Sequence, residues 1–353
     1  MAVRTFRPNT SKQGTSKQGT SKQGTSKQGT SKQGTSKQGT SKQGTSKQGT
    51  SKQGTSPGPA SRRRLPGGSA DILAAASLWG TTGTVATFAD GASSVSLGAA
   101  RIVIGGTVLV ALAALTRAAG LRRLLAARRS WPPLAVGAAA IAVYQTAFFV
   151  AVARTGVAAG TVVTIGSAPA FTGLIGLVVH RSAPSRRWAL ATAGAVGGCA
   201  ALIGGGRDAG IEPVGIALAL VAGLAYAAYA TAASALISRG EDDRAVAAAL
   251  FGAAGAVLLP VLLVGPAGWL LTGPGALTAL YLGAVTTGGG YVLFTRGLRT
   301  TPATTATTLT LAEPAVAAVL GTAVLGESLG AVALGGLALL AASLVVLVLP
   351  ARR

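Results

Sequence analysis

From Asp71 to Leu349 the sequence consists of long apolar runs separated by short breaks rich in Gly, Pro and Arg. Ten runs can be placed, at roughly 71–88, 94–116, 132–153, 157–179, 186–205, 213–237, 245–264, 275–297, 301–325 and 328–349. Each approaches or exceeds the roughly 20 residues that an α-helix needs to cross a bilayer. The breaks carry loop chemistry: Asp90-Gly91, Trp131-Pro132-Pro133, Ala183-Pro184, Gly204-Gly205-Gly206, Gly265-Pro266 and Gly273-Pro274. The third–fourth and ninth–tenth connections are short enough to predict antiparallel hairpins. The pattern predicts an all-α integral membrane protein with ten transmembrane helices.

Composition narrows the class further. Of the 353 residues 49% are apolar and only 11% charged, and the mean hydropathy is +0.52. A soluble domain carries about 25% charged residues, so this chain could not clothe a water-facing surface. The net charge of +22 is concentrated in the tail. Residues 1–70 hold 14 Lys and Arg and no acid, whereas the rest holds 17 Arg, no Lys and nine acids. Basic residues thus sit in a tail and in short loops, not in a groove interleaved with aromatics, and no nucleic-acid partner is expected. One Cys and one His, far apart in sequence, supply neither a catalytic pair nor a metal site. No catalytic residue, metal or cofactor is expected.

The tail is a separate segment. Residues 11–55 are nine tandem copies of Ser-Lys-Gln-Gly-Thr. A polar five-residue period matches no packed repeat architecture and has no apolar area to offset chain entropy. Residues 1–70 therefore read as a disordered cytoplasmic tail. With the N-terminus inside, every Lys and Arg except Arg101, Arg154 and Arg207 falls on the inner side. That asymmetry orients a multi-pass protein of the cytoplasmic (inner) membrane with both termini cytoplasmic.

The chain also repeats itself. At an offset of 145 residues, Arg154-Thr155 meets Arg299-Thr300, Pro169-Ala170 meets Pro314-Ala315, and Gly176 meets Gly321. Five spans separate the copies, and an odd number inverts the second copy in the membrane. Two inverted five-helix repeats are a transporter architecture, with the solute site near the midplane between the halves.

Trp79-Gly80 in the first run, Pro169 in the fourth, and Glu313-Pro314 followed by Leu325-Gly326-Glu327 resemble the EamA-type repeat of the drug/metabolite transporter superfamily. The resemblance covers about 71–349, as a first repeat at 71–205 and a second at 213–349. The first copy departs from it, with Arg181-Ser182 where the second has Gly326-Glu327. The resemblance implies export or exchange of a small metabolite or drug, across a family whose substrates include nucleotide sugars, amino acids, cationic drugs and purines.

Glu313 is the acid predicted nearest a midplane, and a carboxylate in hydrocarbon points to function. Pro314 has no N–H to give the Thr310 carbonyl, so that oxygen is expected to be free for a ligand or water. Trp79, Tyr144, Gln145, Tyr226 and Tyr291 are large groups with polar tips inside spans, able both to contact an apolar solute and to orient it. These seven residues are the expected substrate-binding set. Tyr229 shares their chemistry, with packing as the alternative. Arg101 lies about seven residues into the second run, where it snorkels, pairs with an acid or holds an anionic group. Trp131 and Trp188 stand at span ends as interfacial anchors. Gly194-x-x-x-Gly198 permits close helix contact and leaves a homodimer open.

The expected function is secondary transport by alternating access, with the lipid bilayer and a small solute as partners and a proton as candidate coupling ion. The alternative is a channel or a non-transporting, lipid-handling scaffold.

Overall fold

In the computed structural model, which describes residues 67–155, 157–181, 183–204, 212–325 and 330–349, the chain is helical with no strand among those residues. The repeat tail, Ser182, the Gly205-Gly206 break and the Gly326-Glu327 motif lie outside them. In chain order the elements are α1 (Gly67–Gly80), α2 (Thr82–Ala86), α3 (Ser94–Thr116), α4 (Ala118–Ala126), α5 (Trp131–Thr155), α6 (Val157–His180) and α7 (Arg186–Gly204). Then come α8 (Pro213–Ser238), α9 (Asp243–Val264), α10 (Gly273–Leu280), a π-helical stretch Tyr281–Gly289, α11 (Gly290–Gly297), α12 (Ala303–Leu309), α13 (Ala312–Leu325) and α14 (Ala331–Val348).

Eight stretches among the described residues are long and apolar enough to cross a membrane: Ser94–Thr116, Arg128–Thr155, Gly160–Val179, Pro213–Ser238, Asp243–Val264, Gly273–Gly297, Ala303–Val324 and Ala331–Val348. The chain is a multi-pass membrane protein. The other two expected runs are also helical but differ in form. The first is broken at Thr81 into α1 and α2, and the fifth is α7, which begins with Arg186 and Arg187. Outward-facing Leu115, Val178, Leu263 and Val264 are strongly exposed, which is the favourable arrangement when the surrounding medium is lipid.

Local chemistry sets the helix boundaries. Ser93 accepts the Ser96 N–H to cap α3, and Thr272 accepts the Gly275 N–H to cap α10, both at 3.1 Å. One Asp242 carboxylate oxygen accepts the Arg244 and Ala245 N–H groups at the start of α9. The Asp90-Gly91 and Arg239-Gly240 turns use left-handed glycines, with φ of 75° and 85°. Neither turn tolerates a Cβ without strain.

Helix packing has a two-fold character. Spans taken in order pair as α3 with α9, and α7 with α14. The α5–α8 contact has its counterpart in α11–α1, and α6–α8 in α13–α1. Exchanging each span of one half for its equivalent in the other reproduces this set of neighbours. Gly198 of α7 and Gly336 of α14 lie against each other's backbones, and Gly194 meets Ser343. The Gly194-x-x-x-Gly198 stripe is thus used within the chain.

Ion pairs mark one end of the bundle. Arg117 reaches Asp242 at 3.4 Å, Arg123 and Arg129 reach the buried Glu241 at 3.5 and 3.9 Å, and Arg299 reaches Asp243 at 4.0 Å. Arg296 makes a two-pronged pair with Asp71, and Arg187 donates to the Val346 and Leu349 carbonyls at the end of α14. These contacts gather the C-terminal ends of α3, α8, α11 and α14 with the N-terminal parts of α1, α5, α7 and α9. At the opposite end Arg154 pairs with Glu212 at 2.6 Å, joining the end of α5 to the start of α8. Trp269 donates to Ser96 there, tying the segment after α9 to the start of α3.

Candidate functional site

The two halves enclose a cavity of about 690 Å³, within the roughly 300–1,000 Å³ typical of small-molecule sites. All seven residues of the expected set line it. Trp79 comes from α1, Tyr144 and Gln145 from α5, Tyr226 from α8, Tyr291 from α11, Thr310 from the α12–α13 break and Glu313 from α13. First-half and second-half helices thus contribute to one wall. The lining continues to Gly83 and Ala86 of α2, Ser94 and Leu97 at the start of α3, and Val152 near the end of α5. The cavity therefore extends toward the Arg154 end, away from the arginine-rich one.

Aromatic rings close the other direction. Tyr229, Phe251 and Phe294 are essentially inaccessible. The Phe251 and Tyr291 ring centres are 4.0 Å apart, and Trp79 packs on Tyr291 and Phe294 at 4.8 and 5.6 Å. Tyr229 does not line the large cavity; it packs edge-on to Phe251 and Tyr291 in the plug beneath it. Tyr226 joins the two regions, tilted against Tyr144 on one side and Tyr229 on the other.

Backbone irregularity shapes the site on both sides. The π-helical stretch Tyr281–Gly289 widens the turn, as such stretches often do at functional sites. Trp79 Nε1 donates to its Thr286 carbonyl at 2.9 Å, and the Thr81 and Tyr281 hydroxyls meet at 2.9 Å. The end of α1 is thereby fixed to the second half. Across the cavity, the ninth expected span breaks at Thr310-Leu311, with Pro314 in the first turn of α13, where its missing N–H costs least.

That break corrects one expectation. The Thr310 carbonyl is not left free: it accepts the Glu313 N–H at 3.0 Å. Where Pro314 cannot donate, the chain tightens into a shorter turn and the preceding residue donates instead. The threonines before it are also largely self-satisfied. Thr307, Thr308 and Thr310 each donate to a backbone carbonyl three or four residues earlier, and Thr308 also meets Thr192. Thr310 is the member of that threonine run that lines the cavity.

Arg101 is placed more informatively by the structure than by sequence. It neither snorkels out nor pairs with an acid among the described residues. It lines the cavity, and its Nε donates to Thr287 Oγ1 at 3.4 Å. The sequence left snorkelling, pairing with an acid and holding an anionic group open, because the face of an all-round apolar helix cannot be read from periodicity. Gln145 lies nearby, 4% exposed, with its amide nitrogen lacking a partner. Trp131 is exposed and donates to the Leu125 carbonyl, whereas Trp188 reaches inward to the Thr304 carbonyl. Cys199 is buried in the core, and no cluster of three or more metal-ligating side chains occurs among the described residues.

Comparison with known proteins bears on this arrangement. A model of the EamA-like transporter family matches residues 68–204 and again 213–349, two matches displaced by the same 145 residues as the internal repeat. An uncharacterized transporter of Bacillus subtilis (strain 168), YwfM, is 37% identical over 251 residues, which is 71% of this chain and 83% of that protein. A solved structure described only as a crystal structure of a protein superposes with a TM-score of 0.68, covering 80% of this chain and 96% of its own at 19% identity. That last likeness concerns the fold alone.

Proposed function

The chain belongs to the EamA-like transporter family, and on that footing we propose that it is a secondary transporter moving a small metabolite or drug across the cytoplasmic membrane by alternating access. The carrying observation is the cavity shared between the halves, with aromatic and polar groups from both and one carboxyl group, Glu313, in its wall. Exchange symmetry among the helix contacts supports ten spans arranged as two inverted five-helix repeats. The excess of arginine at one end supports a cytoplasmic position for that end and for both termini.

In this reading the cavity is open toward the outside and closed toward the cytoplasm. Reversal requires the aromatic plug to part and the arginine ties of Glu241, Asp242 and Asp243 to loosen. Glu313 carries the coupling proton. A protonated carboxyl group is neutral and holds no cation, whereas the ionised form does, so protonation changes what the cavity binds. Export or exchange against protons follows if loading and release occur on opposite sides.

Flux of a labelled solute panel into proteoliposomes tests this reading. Accumulation above equilibrium, driven by a pH gradient and saturable, is expected. Equilibrating flux without accumulation would identify a channel, and no flux of any solute would leave a non-transporting scaffold.

A further inference from the structure

Building on the transport reading, we propose that the cavity is a zwitterion site: Arg101 and Gln145 hold an anionic group of the solute, Glu313 holds its cationic group, and the aromatic wall takes the apolar body between. The observation is a pair of opposite charges that share one cavity and do not meet. Arg101 and Glu313 both line it, yet neither makes an ion pair with any described residue. Arg101 has one long hydrogen bond, to the Thr287 hydroxyl. Tyr144 and Tyr291 line the same cavity as both charges.

Charges held in a membrane interior without a direct ion pair are expensive, and fixed poles of opposite sign are matched by a solute that carries both. A monocation would neutralise Glu313 and leave Arg101 facing it. A monoanion would neutralise Arg101 and leave Glu313. A zwitterion satisfies both poles at once.

The donor pole has a second, independent mark. The Gln145 amide nitrogen is buried and without a hydrogen-bond partner in a residue that lines the cavity. A buried donor left unmade is costly, and a carboxylate beside it would accept from it. Gly98, three residues before Arg101 on α3, lies directly against that amide. Any side chain at Gly98 would collide with Gln145 and the Phe149 ring. The glycine thus lets the Gln145 donor sit beside the Arg101 helix. At the other pole an ammonium group gains from the faces of Tyr and Trp as well as from the carboxylate.

Three matched probes test this on the purified full-length protein: L-leucine, L-leucine methyl ester and N-acetyl-L-leucine. They share one apolar body and carry both charges, only the cation, or only the anion. Binding is read from tryptophan fluorescence and checked by counterflow in proteoliposomes. Leucine should bind about tenfold or more tighter than either single-charge analogue, the size expected for one charged hydrogen-bonded contact. Arg101→Gln should erase the preference over the ester and keep that over the N-acetyl compound. Glu313→Gln should do the reverse, and Arg101→Lys should retain both. Equal binding of all three probes by the wild-type protein, or no binding of leucine, would overturn the proposal without recourse to a variant. If the vesicles nevertheless transport some other solute, the transport reading stands while the zwitterion site falls. If they transport none, the transport reading falls with it.

Discussion

The indole N–H of Trp79 donates to the backbone carbonyl of Thr286 at 2.9 Å, across 207 residues of sequence. One partner is on the first helix of the first half, the other in the π-helical stretch of the second. The bond fixes one cavity wall to the opposite half.

Trp79→Phe keeps the ring and removes the donor. Losing this buried hydrogen bond costs about 0.5–1.5 kcal/mol. The melting temperature in detergent should fall, and solute affinity should weaken with it. An unchanged melting curve would mean that the bond contributes nothing to joining the halves.

Gly198→Leu tests the α7–α14 contact. A side chain there meets the backbone of Leu340 and Gly336, so the helices must separate, at about 1–3 kcal/mol or more for overpacking. Reduced thermal stability is expected, with Gly197→Leu as control, because nothing lies within 4 Å of a Cβ at Gly197. Equal stability of the two variants would contradict the packing.

The ion-pair end should act as a closure. Replacing Glu241, Asp242 and Asp243 by their amides removes the partners of Arg117, Arg123, Arg129 and Arg299. A cysteine placed at Phe294, fully buried in the parent protein, should then react faster with a membrane-impermeant thiol reagent applied from the arginine-rich side. An unaltered rate would show that these ion pairs do not keep that side shut.

Membrane orientation is checked separately. A reporter fused after Arg353 should be active only in the cytoplasm, and activity outside would contradict both the ten-span count and the arginine asymmetry.

Where the apolar runs lie was legible because span length and loop chemistry are both written in one dimension. The predicted run at 213–237 is helix Pro213–Ser238, and that at 94–116 is helix Ser94–Thr116. The site was partly legible for a different reason. A polar tip in an apolar run has few places to go other than inward, so Glu313, Gln145 and the tyrosines could be chosen without knowing the packing. Facing was not legible. α3 is apolar on every side, so nothing in its pattern says that Arg101 turns to the cavity. Tyr229 and Tyr226 are three residues apart, yet Tyr229 is in the plug and Tyr226 in the lining. The π-helical stretch also left no clear signal; what meets it, Trp79 and Thr81, comes from the first half of the chain, 200 or more residues away. The Thr310 carbonyl was misjudged because Pro314 announces a missing donor, but not which neighbour takes its place.

Glu313 carries the central claim. The titratable groups around it are Arg101, Tyr144, Tyr226 and Tyr291, with Cys199 on α7. On the proposed reading this carboxyl group carries the coupling proton. Protonation removes the charge that holds a cation, so apparent solute affinity should fall as pH is lowered through its titration. The most direct measurement is pH-gradient-driven accumulation in proteoliposomes by the wild-type protein and by Glu313→Gln, at equal protein density. Wild-type vesicles should concentrate solute with a pH-dependent rate. Glu313→Gln vesicles should still exchange solute at raised concentration, but with no accumulation and a flat pH profile. Accumulation by Glu313→Gln with the wild-type pH profile would contradict the account.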